Sequence, residues 1–154
     1  MLEYAKPIAK LITELNKLPG IGPKSAQRLA FHILNSNKSD VEELVDAIIN
    51  AKETIHLCPI CCNLTDEEIC YICQSPNRDK SIISVVEQPK DLIAIEKTRE
   101  YKGLYHVLHG VISPMDNIGP EMLKIPQLLN RLKDSEVKEV VLATNPTIEG
   151  EATA

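Results

Sequence analysis

Two pairs of cysteines constrain this chain more than any other feature of its sequence. Cys58 and Cys61 form one C-x-x-C pair, Cys70 and Cys73 form a second, and eight residues separate the two pairs. Each pair can present two thiolates from one tight turn, and four thiolates match the tetrahedral coordination that Zn²⁺ prefers. The spacing therefore predicts one zinc ion per chain. With four protein ligands the ion has no position for water, so its role is structural and not catalytic.

The fifth cysteine and the redox alternative need separate arguments. Cys62 lies next to Cys61 and can compete for the ion, but using it with Cys58 would break the C-x-x-C spacing, so we assign it as a non-ligand. A redox role would need only one pair, usually at the start of a helix in a thioredoxin-like setting, and that setting is absent. Because few apolar residues lie between the pairs, this segment is expected to fold only with metal bound.

Charge is distributed unevenly along the 154 residues. The formal net charge is −5, yet residues 1–38 contain six Lys or Arg against two Glu, a balance of +4 that leaves −9 for the remainder. A phosphate-binding surface is therefore expected in the first 38 residues, since clustered cations release counterions whatever the total charge. No apolar run approaches the roughly 18 residues of a membrane span, and no signal peptide is evident, so a cytosolic protein without a membrane partner is expected.

The first third of the chain has helical periodicity. Apolar residues at helical spacing predict helices over residues 4–18 and 23–35, the second with Pro23 in its first turn. A third helix is predicted to begin at Ser39, where Ser39-Asp40-Val41-Glu42 has the spacing of a capping box, and to run towards Ile55.

After the cysteines the pattern alternates between strand and helix. Strands are predicted at 81–87, 104–109 and 137–144, with helices at 89–98 and 120–133 between them. A β-α-β-α-β order favours a parallel sheet, in which binding residues gather at the carboxyl ends of the strands. Glu87 and the loop after Thr144 both fall at such ends.

A glycine turn joins the first two helices. Leu18-Pro19-Gly20-Ile21-Gly22-Pro23 is predicted to be too tight for side chains at the two glycines, and backbone N–H groups there favour an anion. Lys24 and Arg28 lie one helical turn apart on the same face. The turn resembles the helix-hairpin-helix motif, which implies sequence-independent DNA binding through Gly20, Ile21, Gly22, Lys24 and Arg28. The alternative is a packing turn with solvated cations.

The order of these features resembles the RecR family of bacterial recombination mediators. Further matches are Tyr105 to Pro114, Asn117-Ile118-Gly119-Pro120 and the run from Ala143 to Ala154, although His109 stands where the family is expected to have glycine. The resemblance implies an α+β protein of several parts: a helix-hairpin-helix domain (1–56), a four-cysteine zinc finger (57–79) and an α/β Toprim domain with an incomplete parallel sheet (80–154).

Catalytic Toprim domains hold Mg²⁺ with a glutamate and an Asp-x-Asp pair. Glu87 matches the glutamate, but Asn145-Pro146-Thr147-Ile148-Glu149-Gly150-Glu151 replaces the pair. The resemblance therefore implies a protein that is not an enzyme, with Glu87, Glu149 and Glu151 as a docking surface for a basic partner such as RecO, or as a solvated acidic surface. A metal-dependent nuclease or primase relative is the alternative, and an adaptor that contacts only protein is a third.

The resemblance also implies an assembly and a cellular role. RecR-like proteins form rings, tetrameric when full length, that clamp single- and double-stranded DNA and, with RecO and in some settings RecF, load RecA in recombinational repair in the bacterial cytoplasm, at the nucleoid. RecR-like chains continue beyond this point with a helix, a strand and a C-terminal segment. This chain is therefore expected to be a C-terminally truncated form with an open sheet edge, assembling through its N-terminal helices into a dimer at most.

Overall fold

Three helices form the N-terminal unit, as their periodicity predicts. A computed structural model describes residues 4–134 and 136–154, and the chain divides into two compact units, one ending at Glu53 and the other running from Thr54 to Ala154. The helices of the first unit are α1 (Lys6–Asn16), α2 (Pro23–Asn35) and α3 (Lys38–Thr54). In the described part of the chain, every helix is too short or too polar to cross a lipid bilayer.

Helices α1 and α2 pack against each other through small residues of α2. Ala26 and Ala30 are fully buried, and the rings of Tyr4 and Phe31 meet edge to face at 5.8 Å. Helix α3 buries none of its residues, and Leu44, Val45, Ile48 and Ile49 on it are all between 46% and 61% exposed. The first unit therefore leaves an apolar stripe uncovered along α3.

The second unit begins with the cysteine segment. It contains a short antiparallel hairpin of β1 (His56–Leu57) and β2 (Leu64–Thr65), followed by the single-turn helix α4 (Tyr71–Gln74). The remaining elements are β3 (Asp79–Val86), α5 (Pro89–Thr98), β4 (Gly103–Val107), two 3₁₀ turns (Pro114–Asp116 and Pro120–Met122), α6 (Ile125–Arg131), β5 (Glu139–Leu142) and α7 (Ile148–Thr153).

Strands β3, β4 and β5 form the predicted parallel sheet. The strand order is β4-β3-β5, so the first strand in sequence is central. Ile83, Val85 and Val86 of β3 are buried, in agreement with the near-continuous apolar run expected of a central parallel strand. All four residues of β5 are exposed. The carboxyl ends of the three strands lie along one edge, and Glu87 follows the central one.

The cysteine segment and the sheet share one hydrophobic core. Cys58, Cys61, Cys70 and Ile72 cluster with Val86, Leu92, Tyr105 and Val107. An ion pair also joins the two parts, since the Arg78 guanidinium binds the Glu96 carboxylate of α5, which in turn accepts a hydrogen bond of 2.7 Å from the Tyr105 hydroxyl. The boundary predicted between residues 79 and 80 is therefore a boundary between sequence motifs inside one packed unit.

Several predicted element ends differ from the structure. Helix α3 begins at Lys38, where the Val41 N–H donates to the Asn37 carbonyl, so the capping box expected at Ser39 does not start the helix. The helix predicted over 120–133 is divided. Helix α6 begins only at Ile125, because Pro126 is tolerated only in a first turn and the Lys124 N–H instead donates to the Leu108 carbonyl at 3.0 Å.

Candidate metal centre and hairpin site

The four predicted cysteines converge on one point. The Sγ atoms of Cys58, Cys61, Cys70 and Cys73 all lie within 4.8 Å of one another. Zn–S bonds of about 2.3 Å in tetrahedral geometry place sulfurs about 3.8 Å apart, so the four thiols accommodate the ion with small shifts. They therefore form the structural zinc site that the spacing predicts. Within the described ranges, no other group of three or more His, Cys, Asp or Glu side chains lies close enough to hold a metal.

Backbone hydrogen bonds shape the first ligand loop, residues 58–63, which carries Cys58 and Cys61. The Cys58 N–H donates to the Asn63 carbonyl at 2.7 Å, and the Cys62 N–H donates to the Cys58 carbonyl at 2.9 Å. The Cys61 and Cys70 sulfurs lie 3.4 Å apart, and this contact raises the pKa of Cys61 while lowering that of Cys70. The thiols are thus close enough to share protons, which a bound cation would displace.

Cys62 is excluded from the metal group, as its spacing predicts. Its side chain is 5% exposed, and burial raises the pKa of its thiol, so it is a buried neutral thiol. Its backbone φ is 61°, in the left-handed region. Its carbonyl accepts a hydrogen bond from His109 Nε2 at 2.6 Å.

The glycine turn connects α1 and α2 with a conformation that the sequence predicts only in part. Gly20 has a φ of +79°, which favours glycine, but Gly22 precedes α2 with φ −82° and ψ 172°, which any residue adopts. A Cβ added at either position would meet no atom within 4 Å. The prediction that the turn is too tight for side chains is therefore wrong for the isolated chain, and the space beside both glycines is open to an outside molecule.

Two cationic side chains lie on the helix that follows this open turn. Lys24 and Arg28 are exposed on the first two turns of α2, and neither pairs with an acidic side chain among the described residues. By contrast, Lys17 pairs with Glu14 at 2.8 Å and Lys38 with Glu42 at 3.3 Å. The first N–H groups of α2 have no intrahelical acceptor and carry the positive end of the helix dipole. The turn thus combines open backbone, N–H groups without intrahelical acceptors and two exposed cations that no described acidic side chain neutralises.

The three predicted glutamates do not form one surface. Glu87 is 8% exposed, and its carboxylate accepts hydrogen bonds from the backbone N–H and the side-chain amide of Asn145 at 2.7 and 2.8 Å. Glu149 and Glu151 are exposed on α7. Glu87 does not fit the role predicted for it in partner binding, because burial and Asn145 occupy its carboxylate. The docking prediction is left with Glu149 and Glu151.

The two tyrosines near the sheet are packing residues. Tyr105 is fully buried, its ring meets that of Tyr101 edge to face at 4.9 Å, and the Tyr101 hydroxyl donates to the Leu104 carbonyl at 2.8 Å. Burial raises the pKa of Tyr101 to about 12, and burial together with Glu96 raises that of Tyr105 further. Both hydroxyls serve internal hydrogen bonds, that of Tyr101 to a backbone carbonyl and that of Tyr105 to the Glu96 carboxylate, which is itself paired with Arg78.

Sequence patterns did not identify two residues that organise this unit. Asn145 binds Glu87 across 58 positions of sequence, and nothing local to either residue indicates that contact. His109 has a φ of 59°, a conformation that favours glycine, so the histidine retains the backbone geometry expected of glycine there. Nothing in the sequence indicates its side-chain contact with the Cys62 carbonyl.

Comparisons with known proteins agree with this geometry. Family models match three successive stretches: the RecR helix-hairpin-helix at residues 8–52, the RecR zinc finger domain with four cysteines at 55–75, and the Toprim domain at 81–154. The chain is 58% identical over 153 residues to "Recombination protein RecR" of Staphylococcus saprophyticus, an alignment that covers 99% of this chain and 77% of that protein. It is 56% identical over 154 residues to the protein of the same name from Heliobacterium modesticaldum, covering all of this chain and 77% of that protein.

Proposed function

The chain belongs to the RecR family of recombination proteins, and from that premise we propose that it is a non-catalytic, sequence-independent DNA-binding mediator of recombinational repair. The observation that carries the proposal is the turn between α1 and α2: open space beside Gly20 and Gly22, the first N–H groups of α2, which lack intrahelical acceptors, and the exposed Lys24 and Arg28, which pair with no acidic side chain among the described residues. A phosphate fits all three features, and phosphate contacts position a protein on nucleic acid without reading its sequence.

The proposed binding is electrostatic and therefore weak for one chain at physiological salt. A few phosphate contacts give a modest, salt-dependent affinity, and clamping of DNA requires several hairpins in one assembly. We propose that a second copy docks through the apolar stripe of α3, since four of its large aliphatic side chains lack cover in the described chain. The expected product is a dimer at most, and a stable tetramer measured by light scattering would contradict this.

The proposed role includes loading of RecA onto single-stranded DNA together with RecO, and with RecF in some settings, in the bacterial cytoplasm at the nucleoid. Glu149 and Glu151 support an acidic docking surface for a basic partner because both are exposed on α7. The absence of catalysis is supported by Glu87, whose carboxylate is buried and bound to Asn145. The competing function, a metal-dependent nuclease or primase, would require that carboxylate to release Asn145.

A pair of double variants tests the DNA-binding proposal. Lys24→Ala with Arg28→Ala should weaken binding to single- and double-stranded DNA of any sequence. The slope of log affinity against log salt should fall by about 1.8 for double-stranded and about 1.4 for single-stranded DNA, the losses expected for two phosphate contacts. Lys17→Ala with Lys38→Ala removes the same charge from the same unit, but at residues already paired with glutamates. Equal losses in both double variants would remove the hairpin from the mechanism. Fluorescence anisotropy at several salt concentrations gives both numbers.

Incubation with Mg²⁺ or Mn²⁺ and nicked, gapped or single-stranded DNA tests the enzymatic alternative. The proposal expects no cleavage and no primer synthesis. Cleavage by the wild-type chain that Glu87→Gln abolishes would establish the alternative.

A further inference from the structure

We propose that His109 couples the zinc site to the loop after β4, so that metal binding and the conformation of residues 108–113 depend on each other. His109 is then a positioning residue that acts through Cys62. The inference rests on the metal site and the sheet, and it does not depend on the proposed DNA binding.

Two hydrogen bonds join the end of β4 to the first ligand loop. The Val107 N–H donates to the Cys61 carbonyl at 2.8 Å, and His109 Nε2 lies 2.6 Å from the Cys62 carbonyl oxygen. Since a carbonyl only accepts, His109 must carry its hydrogen on Nε2. The acceptor of the first bond is the carbonyl of a metal ligand, and the acceptor of the second is the carbonyl of the next residue. Both bonds therefore depend on the conformation that the ligand loop adopts around the ion.

Both partners of the side-chain bond adopt a backbone conformation that residues with a Cβ rarely tolerate. Cys62 has a φ of 61° and His109 a φ of 59°. Such conformations persist where surrounding contacts enforce them. At Cys62 the enforcing contacts are those of the ligand loop, the Cys62 N–H to Cys58 and the Cys58 N–H to Asn63. At His109 the imidazole bond to Cys62 provides a contact that glycine would lack.

The loop after β4 carries this geometry to the carboxyl edge of the sheet. The Gly110 N–H donates to the Glu87 carbonyl at 3.1 Å, and the Ile112 N–H donates to Thr153 Oγ1 of α7 at 2.9 Å. Residues 108–113 therefore connect the cysteine loop with Glu87 and with the helix that bears Glu149 and Glu151. A change in the conformation of the ligand loop can therefore be transmitted through these hydrogen bonds to the carboxyl edge of the sheet.

Coupling of this kind is reciprocal. If bound zinc favours the observed loop, the observed loop favours zinc by the same factor. One hydrogen bond, here a partly buried one, corresponds to a factor of roughly fivefold in an equilibrium constant, and the whole factor appears in zinc affinity if the bond forms only when zinc closes the loop. Loss of the imidazole should thus weaken zinc binding although His109 is not a ligand.

The His109→Gly variant distinguishes a role of the imidazole hydrogen bond from a role of the backbone conformation alone. Glycine relaxes the positive φ but removes the donor, so a role limited to backbone accommodation predicts unchanged or tighter zinc binding. His109→Gln retains an N–H donor at the level of Nε2. His56→Gln is the matched control, since His56 is an exposed histidine at the start of the same unit, whose Nδ1 contacts only the Thr54 carbonyl among the described hydrogen bonds.

The test measures zinc affinity by competition with a chromophoric chelator, and amide hydrogen exchange of residues 108–113 with zinc bound. We expect about fivefold weaker zinc binding and faster exchange at Gly110 and Ile112 in His109→Gly. The His109→Gln and His56→Gln variants should stay near the wild type in both measurements. Zinc affinity of His109→Gly within about twofold of wild type, unchanged exchange in that variant, or an equal loss in His109→Gln would each overturn the proposal.

Discussion

Asn145 occupies both carboxylate oxygens of Glu87. Its backbone N–H lies 2.7 Å from Oε1 and its side-chain Nδ2 lies 2.8 Å from Oε2. Gly150 closes the arrangement, since a Cβ there would lie 2.1 Å from the Asn145 carbonyl oxygen and 2.7 Å from Glu87 Oε1. The glutamate at the end of the central strand therefore serves as an anchor that fixes the loop after β5.

Glu87→Gln tests this anchor. In the variant, an NH₂ group replaces one of the two carboxylate oxygens. The NH₂ group then faces an N–H donor of Asn145, and that buried donor loses its acceptor. We expect a loss of about 1–3 kcal/mol in the free energy of unfolding, measured by urea denaturation. Glu149→Gln, on the exposed α7, should change it by less than about 0.5 kcal/mol. Equal effects of the two variants would show that Glu87 does not hold the loop.

Exchange of single cysteines tests the ligand assignment. Cys70→Ser should lose the metal and destabilise the whole second unit, because the ligands are part of its hydrophobic core. Cys62→Ser alters a thiol that is also buried and adjacent to a ligand, yet it should retain one zinc per chain. Elemental analysis and thermal unfolding of the purified variants decide the point. A Cys62→Ser protein without zinc would require a different ligand set.

The two hairpin glycines should respond oppositely to alanine. Gly20→Ala places a Cβ at a φ of +79° and should lower the free energy of unfolding by about 1–2 kcal/mol. Gly22→Ala has no such strain and no neighbour within 4 Å, so its stability should be unchanged or slightly higher. Its methyl group would nevertheless stand where the proposed phosphate approaches, and DNA affinity should fall. Denaturation and anisotropy measured on both variants separate folding from binding.

His106 predicts a pH dependence of stability. The side chain is fully buried, its Nε2 lies 2.8 Å from the Lys124 carbonyl oxygen, and burial lowers its pKa to about 4. The unfolded chain therefore takes up a proton near pH 6.5 that the folded chain does not bind. The contribution of neutral His106 to the free energy of unfolding is therefore fully present above about pH 6.5 and decreases as the pH falls to about 4. Below that pH it does not change further, and the total decrease is about 3 kcal/mol.

His106→Gln isolates that contribution. Glutamine keeps an N–H donor for the Lys124 carbonyl but does not titrate in this range. Because low pH also protonates zinc-binding thiols, the informative quantity is the difference between the wild-type and variant unfolding free energies at each pH. That difference should change between about pH 6.5 and 4; a difference that is constant over this range would contradict a neutral buried His106.

Local sequence patterns predicted the elements of this protein better than its long-range contacts. Helix α5 has the predicted bounds, 89–98, because Pro89 suits a first turn and Gln88 with Asp91 forms a capping box. The parallel order of the strands and the four zinc ligands follow from spacing in the same way. The bounds of α5 and the zinc ligands depend on residues within a short stretch of the chain, whereas the parallel order follows from the alternation of strands and helices between residues 79 and 142.

The features that the sequence does not predict depend on contacts between residues that are distant in the chain. The late start of α6 involves the Lys124 bond to Leu108, and the role of Glu87 depends on Asn145. The open space beside Gly22 is not predicted by the sequence either. Glycine occurs both where the backbone packs closely and where it leaves room for another molecule, and the sequence does not distinguish these two cases. Such distinctions depend on which residues the fold brings next to each position.

The shared core of cysteine segment and sheet limits how this protein can be divided or recombined. A cut between residues 79 and 80 would remove the neighbours of Ile72 and separate Arg78 from Glu96, leaving a newly exposed apolar surface on each fragment. The zinc-binding segment is thus not an exchangeable module. Chimaeras that swap it between relatives should succeed only when the Toprim surface that it covers, with Val86, Leu92 and Tyr105, is transplanted along with it.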